Sequence, residues 1–223
     1  MEIASKCHVA ERGSLSQNVK YTGGMSTVKP RGRYAKGAER REQIVQTATD
    51  VFATEGFEGT ALKRVAELVG VKEATLFHYF SGKQELLTAV LTERDRRSME
   101  LRGVADAGLP GVVPVAERNM QEPGLTTLYA VASATANDPG HASHSYFQSR
   151  YSELVKELGQ DIRRRQGANE VRADATAESL ARLVIAAFDG LQLQWLYDKD
   201  VDIAAGLKEL VEVLLAPPET TAG

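Results

Sequence analysis

The chain has 223 residues, of which 43% are apolar and 26% are charged, with a formal net charge of −3. This composition is ordinary for a globular protein, and the length suffices for a sizeable core. The longest apolar runs, such as Leu183 to Phe188, are too short to span a bilayer. Residues 1–14 lack the continuous apolar stretch of a signal peptide. Cys7 is the only cysteine, which excludes an internal disulfide and a cysteine-rich metal site. We therefore expect a reducing, cytoplasmic setting and no membrane partner.

Charge is distributed unevenly along the chain. Residues 1–102 hold 17 basic and 13 acidic side chains, whereas residues 103–223 hold 10 basic and 17 acidic ones. A basic first half joined to an acidic second half indicates that only the first half meets a polyanion. Chance fluctuation of charge along the chain is an equally good explanation at this point.

The N-terminal segment, residues 1–36, is predicted to be a disordered basic arm. It shows no hydrophobic periodicity and is rich in Gly, Ser, Lys and Arg. Two interpretations of its basic residues stay open, an untethered tail and an arm that holds nucleic acid. A natural chain start at Met25 is a further hypothesis, with the first 24 residues as an upstream extension.

Three helices joined by very short turns are predicted between about residues 38 and 79. In the first, Ile44, Val45, Ala48, Val51 and Phe52 recur on one face of a helix, which Gly56 ends. Thr60 is a suitable N-cap for the second helix, which Gly70 ends. The third extends from about Lys72 to Tyr79.

The remaining sequence is also predicted to be helical. Ser81 to Gln84 has the form of a capping box and begins a fourth helix towards Arg102. Four further helices follow, with approximate bounds 125–136, 141–165, 175–197 (capped by Asp174) and 203–215. No segment shows the alternation of a strand, so the fold class is predicted to be all-α. The predicted units are a three-helix domain at 37–82, a larger helical domain at 83–216, and a tail at 217–223.

Two helices joined by a short turn that contains Gly are typical of a helix-turn-helix. The turn here is at Gly70, and the helix after it is the candidate for the DNA major groove. Leu76 and Phe80 lie four residues apart and are assigned to the core. Glu73 and Phe77 lie on another face.

The block from about Arg40 to Leu91 resembles the DNA-binding domain of the TetR family of transcriptional repressors. The residues that carry this resemblance are Gly56, Thr60, Val65, Ala66, Gly70, Val71, Leu76, Phe77, Tyr79, Phe80, Lys83 and Leu86. The resemblance implies a homodimer with one N-terminal helix-turn-helix per subunit. It also implies a helical C-terminal domain that binds a small molecule and then releases DNA, and it implies no cofactor.

Nine DNA-binding candidates follow from this resemblance. Thr60 and Lys63 are expected to contact phosphate. Tyr79 and Lys83 are expected to hold the DNA backbone. The candidates for the groove itself are Lys72, Glu73, Ala74, Phe77 and His78. Lys72 occupies the place of the family's frequent capping Ser, and "FHYF" (Phe77 to Phe80) replaces the commoner "YYHF".

The C-terminal half gives weaker signals. His144, Phe147 and Tyr151 lie on one helical face, and they are assigned either to core or to a ligand pocket. Tyr129 and Trp195 leave the same two alternatives open. Asp189 and Gln192 are predicted either to line a pocket or to bond across a dimer of the last two helices. His141 and His144 have no third His or Cys nearby, so no metal site is expected.

The leading interpretation is a ligand-responsive regulator that binds a palindromic operator in double-stranded DNA as a homodimer. Aromatic and aliphatic residues in the C-terminal half indicate a small hydrophobic or aromatic effector. One alternative is a non-specific, nucleoid-type DNA binder without an effector. The other is a small all-α enzyme, although none of the common catalytic motifs is present.

Overall fold

The computed structural model describes residues 31–104 and 108–216. Within them the helices are α1 (Arg31–Glu55), α2 (Leu62–Val69), α3 (Glu73–Leu76), α4 (Lys83–Val104), α5 (Val112–Gln121), α6 (Pro123–Thr135), α7 (His144–Gly167), α8 (Ala177–Tyr197) and α9 (Ile203–Glu209). A 3-10 turn, Leu109–Gly111, precedes α5, and a π-helical segment, Leu210–Leu214, continues α9. No strand occurs in these two ranges, and the prediction of an all-α fold is confirmed.

Helix α1 begins earlier than its hydrophobic pattern predicts. The apolar periodicity starts at Ile44, whereas the helix begins at Arg31, so residues 31–36 of the predicted disordered arm are helical. Ala35 and Lys36 are exposed, and exposed helical positions do not contribute to a hydrophobic pattern. The other residues of the arm, and the tail at 217–223, lie outside the described residues.

The turn between α2 and α3 has the geometry that a helix-turn-helix requires. Gly70 ends α2 in the left-handed conformation, with φ of 75°, and the N–H of Val71 donates to the carbonyl of Ala66 at 2.9 Å. Glycine adopts this conformation without steric cost. The N-cap of α2 is Ala61, and not Thr60 as predicted. The hydroxyl of Thr60 instead donates to the carbonyl of Gly56 at 2.7 Å.

Several predicted helix ends shift for identifiable reasons. Helix α3 is shorter than predicted, because the chain after Leu76 continues as turns. At the start of α4, the carboxylate of Glu85, and not Gln84, accepts from the N–H of Ser81. Helix α8 is capped by Thr176, whose hydroxyl accepts from Ser179 at 3.2 Å. Asp174, the predicted cap, pairs with Arg172 instead.

Helix α5 was not predicted from the sequence. Pro114 and the preceding "LPG" (Leu109 to Gly111) indicate a break, but Pro114 occupies the first turn of α5, where a missing N–H costs no hydrogen bond. Its buried face, Val112, Val115 and Ala116, contributes to the interior of the C-terminal half.

Two hydrophobic cores organise the molecule. The first joins α1 to α4 with α6 and with Phe147 of α7. The second is built by α5, α7, α8 and α9, together with Leu109, Val171 and Leu215. The first core therefore continues across the predicted domain boundary at residue 82, and α6 packs directly on α1 of the helix-turn-helix.

Candidate nucleic-acid interface and ligand cavity

Some side chains of helix α3 and of the turn after it are buried in the core, and others are exposed to solvent. Leu76 and Phe80 are buried at 1% and 2% exposure. The five groove candidates, Lys72, Glu73, Ala74, Phe77 and His78, are all exposed. Phe77 is 53% exposed, which is unusual for a large apolar ring. The structure therefore leaves one face of this short helix free for a partner.

The start of α3 lacks a side-chain cap. Lys72 is its N-cap residue in extended conformation, and its side chain makes no capping hydrogen bond in the described structure. The carbonyl of Lys72 accepts from the N–H of Thr75 at 2.8 Å. The ammonium of Lys72 is thus exposed at the leading edge of the helix, where it can meet phosphate or a base edge.

The backbone-contact candidates have different environments. The side chain of Lys63 is 72% exposed and lies 3.9 Å from Glu67, a surface pair that leaves it free to move. Tyr79 is half-buried against the first core. Thr60 is 2% exposed and its hydroxyl is occupied, so it has no free donor for a phosphate.

Lys83 has a structural role that its position in the family pattern does not reveal. Its Nζ donates to the carbonyl of Glu58 at 3.2 Å and lies 4.3 Å from the ring centroid of Phe57. The lysine therefore ties the start of α4 to the turn between α1 and α2. An ammonium has three donors, so a phosphate contact remains compatible with this role.

The C-terminal half encloses a cavity of about 410 Å³ between α4, α5, α6, α7 and α8. This size is within the range of small-molecule sites. Most of its wall is apolar, and the side chains that supply this wall are Met99, Val112, Val115, Leu154, Leu158, Val184, Ile185 and Phe188.

One end of the cavity is charged. Nε of Arg150 donates to Oδ2 of Asp95 at 2.8 Å, and the hydroxyl of Tyr146 donates to the same oxygen. Arg94 also lines this end, and its guanidinium carbon lies 4.5 Å from the ring centroid of Tyr129. Burial raises the pKa of the Tyr146 hydroxyl, and the adjacent carboxylate of Asp95 raises it further. Tyr146 therefore stays protonated and donates.

A second polar group lies where α5, α7 and α8 meet. The hydroxyl of Tyr151 donates to Oδ2 of Asp189 at 2.8 Å. Burial raises the pKa of Asp189, although the hydrogen bond from Tyr151 opposes this shift. Nδ2 of Asn119 donates to Oε1 of Gln192 at 2.8 Å, within the same chain. Because the buried Gln192 has its hydrogen-bond partner within its own chain, it does not need one from a second subunit.

The seven predicted pocket residues do not all lie at the cavity. Tyr129, Asp189 and Gln192 line the cavity, and Tyr151 supports Asp189. Tyr151 itself does not line the cavity, and neither do the remaining three residues, His144, Phe147 and Trp195. Phe147 and Trp195 are buried in the first and second cores. Nδ1 of His144 lies 2.8 Å from the carbonyl oxygen of Ala136, so it fastens the start of α7 to the end of α6.

Sequence reasoning missed the charged end of the cavity. Arg94 continues the buried stripe of α4 that includes Val90 and Leu91, and Arg150 lies three residues after the buried Phe147. A charged residue on the apolar stripe of a helix is the signal that identifies such a site, because an isolated buried charge is costly.

The described residues contain no cluster of three or more potential metal ligands. None of their helices combines the length and the apolar character that crossing a bilayer requires.

Comparison with known proteins agrees with this geometry. Residues 44–90 match the family model described as bacterial regulatory proteins, tetR family. The chain is 27% identical to the HTH-type transcriptional repressor Rv1474c of Mycobacterium tuberculosis, over 78% of this chain and 92% of that protein. It is also 27% identical to the HTH-type transcriptional repressor AcnR of Corynebacterium diphtheriae, over 78% and 90%.

A solved structure shares the fold over almost its whole length. It is a transcriptional regulator from Saccharomonospora viridis in complex with choline, 21% identical, with a TM-score of 0.67 over 80% of this chain and 98% of that one. The two curated relatives are named as repressors and not as enzymes, which removes support from the enzyme alternative. The free face of α3, the family match over residues 44–90 and the relatives agree, and together they support a transcriptional regulator of the TetR family.

Proposed function

We propose that the protein is a homodimeric repressor that acts in the cytoplasm, binds a palindromic operator and is released by a small molecule. The observation that carries this proposal is the exposed face formed by α3 and its flanking residues, where Lys72, Phe77 and His78 are held outward by the burial of Leu76 and Phe80. The two curated relatives, both named as repressors, support the direction of regulation.

An exposed stripe on α8 supports the dimer. Leu183, Gly190, Leu193 and Tyr197 follow one another at helical spacing, and Leu183, Leu193 and Tyr197 are exposed at 58%, 50% and 87%. Exposed apolar stripes of this kind mark protein interfaces. Gly206 brings α9 against Leu191, where a Cβ would lie 3.0 Å from the leucine side chain. In the proposed dimer, α8 and α9 of two subunits form a four-helix bundle.

The dimer would place two copies of α3 in successive major grooves. Half-sites are then separated by about 10 bp or a multiple of it. Lys72, Glu73, Ala74, Phe77 and His78 face the groove in this proposal. Lys63, Tyr79 and Lys83 lie beside it as backbone contacts, and Thr60 is omitted because it is buried.

Ligand binding in the cavity is the proposed means of releasing the dimer from DNA. It is lined by residues of α4 and α6, and both helices pack on α1 in the first core. A ligand that prefers the DNA-incompetent arrangement of these helices shifts the dimer off its operator. The similar structure from Saccharomonospora viridis is in complex with choline, which supports a small-molecule effector.

Selection of DNA from a random-sequence library tests this proposal. The full chain is expected to enrich a palindrome with half-sites about 10 bp apart, and to bind the region upstream of its own or a neighbouring gene. Enrichment of no motif, with affinity that depends on salt alone, would support the nucleoid-type alternative instead.

A further inference from the structure

Arg94 is the most unusual residue of the cavity. It is 5% exposed and lines the charged end. Its closest charge partner is Oδ1 of Asp95 at 3.6 Å, which exceeds hydrogen-bond range. Among the described residues it has no acceptor within hydrogen-bond range, and the Tyr129 ring packs against its guanidinium. A guanidinium has five N–H donors, and a buried cation without acceptors is strongly unfavourable.

A second cation makes this arrangement less favourable still. The guanidinium carbon of Arg150 lies 4.8 Å from the ring centroid of the same Tyr129. Burial lowers the pKa of Arg94, and the charge of Arg150 lowers it further, but an arginine does not lose its proton in a protein. Both side chains therefore remain cationic at this end of the cavity.

The neighbouring carboxylates of Asp95 and Asp189 do not satisfy all the hydrogen-bond donors of the two arginines. Oδ2 of Asp95 is occupied by Arg150 and Tyr146, while Oδ1 is buried without a hydrogen-bond partner. Asp189 already accepts a hydrogen bond from the Tyr151 hydroxyl at 2.8 Å. Glu153 and Glu157 also line the cavity, but no described acceptor lies within hydrogen-bond range of the Arg94 guanidinium, whose nearest carboxylate oxygen is 3.6 Å away.

The rest of the cavity defines what else the ligand needs. Val112, Val115, Leu154 and Phe188 form an apolar wall that suits a hydrocarbon body. Tyr129 already faces two guanidinium groups, so its ring is not free to stack on a quaternary ammonium.

From these contacts we infer that the effector carries a carboxylate, which Arg94 and Arg150 bind, on an apolar body that fills the cavity between α4, α5, α6, α7 and α8. The planar guanidinium matches a carboxylate with two parallel hydrogen bonds. The inference rests on the proposed function, in which this cavity is the effector site.

The test measures thermal stabilisation and binding heat of the full chain with benzoate, 4-phenylbutyrate and octanoate. Each acid is paired with its primary amide, and choline and phenyl phosphate complete the panel. At least one carboxylate is expected to raise the Tm and to bind about 10-fold or more tightly than its amide, because hydrogen bonds to charged groups are the stronger ones. The inference is overturned if no carboxylate binds, if the amides bind equally well, or if choline or phenyl phosphate binds more tightly.

Variants locate the site. Arg94→Gln and Arg150→Gln are each expected to weaken carboxylate binding by about 10- to 100-fold. Arg96→Gln is the matched control, since Arg96 lies at the cavity rim with its side chain 53% exposed and paired with Glu93. Folding of each variant is checked by circular dichroism. If neither glutamine variant folds, Val115→Trp provides the second test, because a larger side chain in the apolar wall is expected to exclude the carboxylate. Unchanged binding in any folded Arg94, Arg150 or Val115 variant contradicts the inference.

Operator binding by the ligand-free chain distinguishes a failure of the carboxylate inference from a failure of the proposed function. A chain that binds its operator but no carboxylate refutes only the effector class. A chain that binds carboxylate at Arg94 but no specific DNA refutes the proposed function.

Discussion

Gly124, near the start of α6, lies against the carbonyl of Ala53, near the end of α1. A Cβ placed on Gly124 would lie 1.9 Å from the Ala53 oxygen, so only glycine fits there. The contact joins the helix-turn-helix to the helix that carries Tyr129 into the cavity.

Gly124→Ala is therefore expected to push α6 away from α1. Steric overlap of this kind costs about 1–3 kcal/mol of stability, and the shift should weaken both operator binding and its response to effector. Thermal unfolding and operator titration measure the two effects. Gly37→Ala is the matched control, because nothing lies within 4 Å of a Cβ there. It should be neutral or stabilising, since alanine is the better helix former. Equal behaviour of the two variants would contradict this account.

Asp161 on α7 should make stability depend on pH. Oδ2 accepts from the N–H of Leu109 at 2.9 Å and from Nε of Arg165 at 3.0 Å. Burial alone would raise the pKa of Asp161, but these hydrogen bonds outweigh it and hold the pKa below its ordinary value. A lowered pKa in the folded state stabilises the protein above the ordinary value of about 3.9, and this contribution is lost as the pH falls through the folded pKa.

Asp161→Asn is thus expected to cost about 1–3 kcal/mol at pH 7. The difference from the unmodified chain should shrink as the pH falls below about 4, where the aspartate of the unfolded chain takes up a proton first and that of the folded chain follows at lower pH. Thermal unfolding between pH 7 and pH 3 follows this change, with the exposed Asp200→Asn as control. A difference that stays constant with pH would show that the charge of Asp161 is unimportant.

Lys83 and Lys63 should differ in what their loss affects. Lys83→Ala removes the hydrogen bond to Glu58 and the contact with Phe57. It is expected to lower stability by about 1 kcal/mol as well as DNA affinity. Lys63→Ala should leave the Tm unchanged, because its side chain is exposed, and reduce the salt dependence of DNA binding by about one unit of slope. An unchanged Tm in Lys83→Ala would refute its structural role.

The α8 stripe should control assembly. Leu193→Glu places a charge in the proposed dimer interface, where an unpaired charge is strongly unfavourable, so the chain should become monomeric. Light scattering after size exclusion measures the mass. Val131→Glu, at an apolar residue of α6 that is similarly exposed, should remain dimeric. A dimeric Leu193→Glu variant would place the interface elsewhere.

Sequence reasoning succeeded where local pattern decides the structure. The period of Leu76 and Phe80 and the left-handed Gly70 are local features, and they determine which face of α3 is free. The cavity is different, because it combines Arg94 with Arg150 and Gln192 from helices far apart in the chain. Aromatic residues on a helical face give the same sequence pattern whether they line a pocket or fill a core. Phe147 and Trp195 fill the two cores.

The most direct test of the central claim is a titration of the selected operator with variants of the exposed residues that directly flank α3. Phe77→Ala, Lys72→Ala and His78→Ala change exposed side chains, so their unfolding temperatures should match that of the unmodified chain. At least one of them is expected to lose about 10-fold or more in operator affinity, as base-edge contacts do. The exposed Lys156→Ala on α7 should bind normally. If all three variants bind the operator as tightly as Lys156→Ala does, then α3 does not read DNA and the account is wrong.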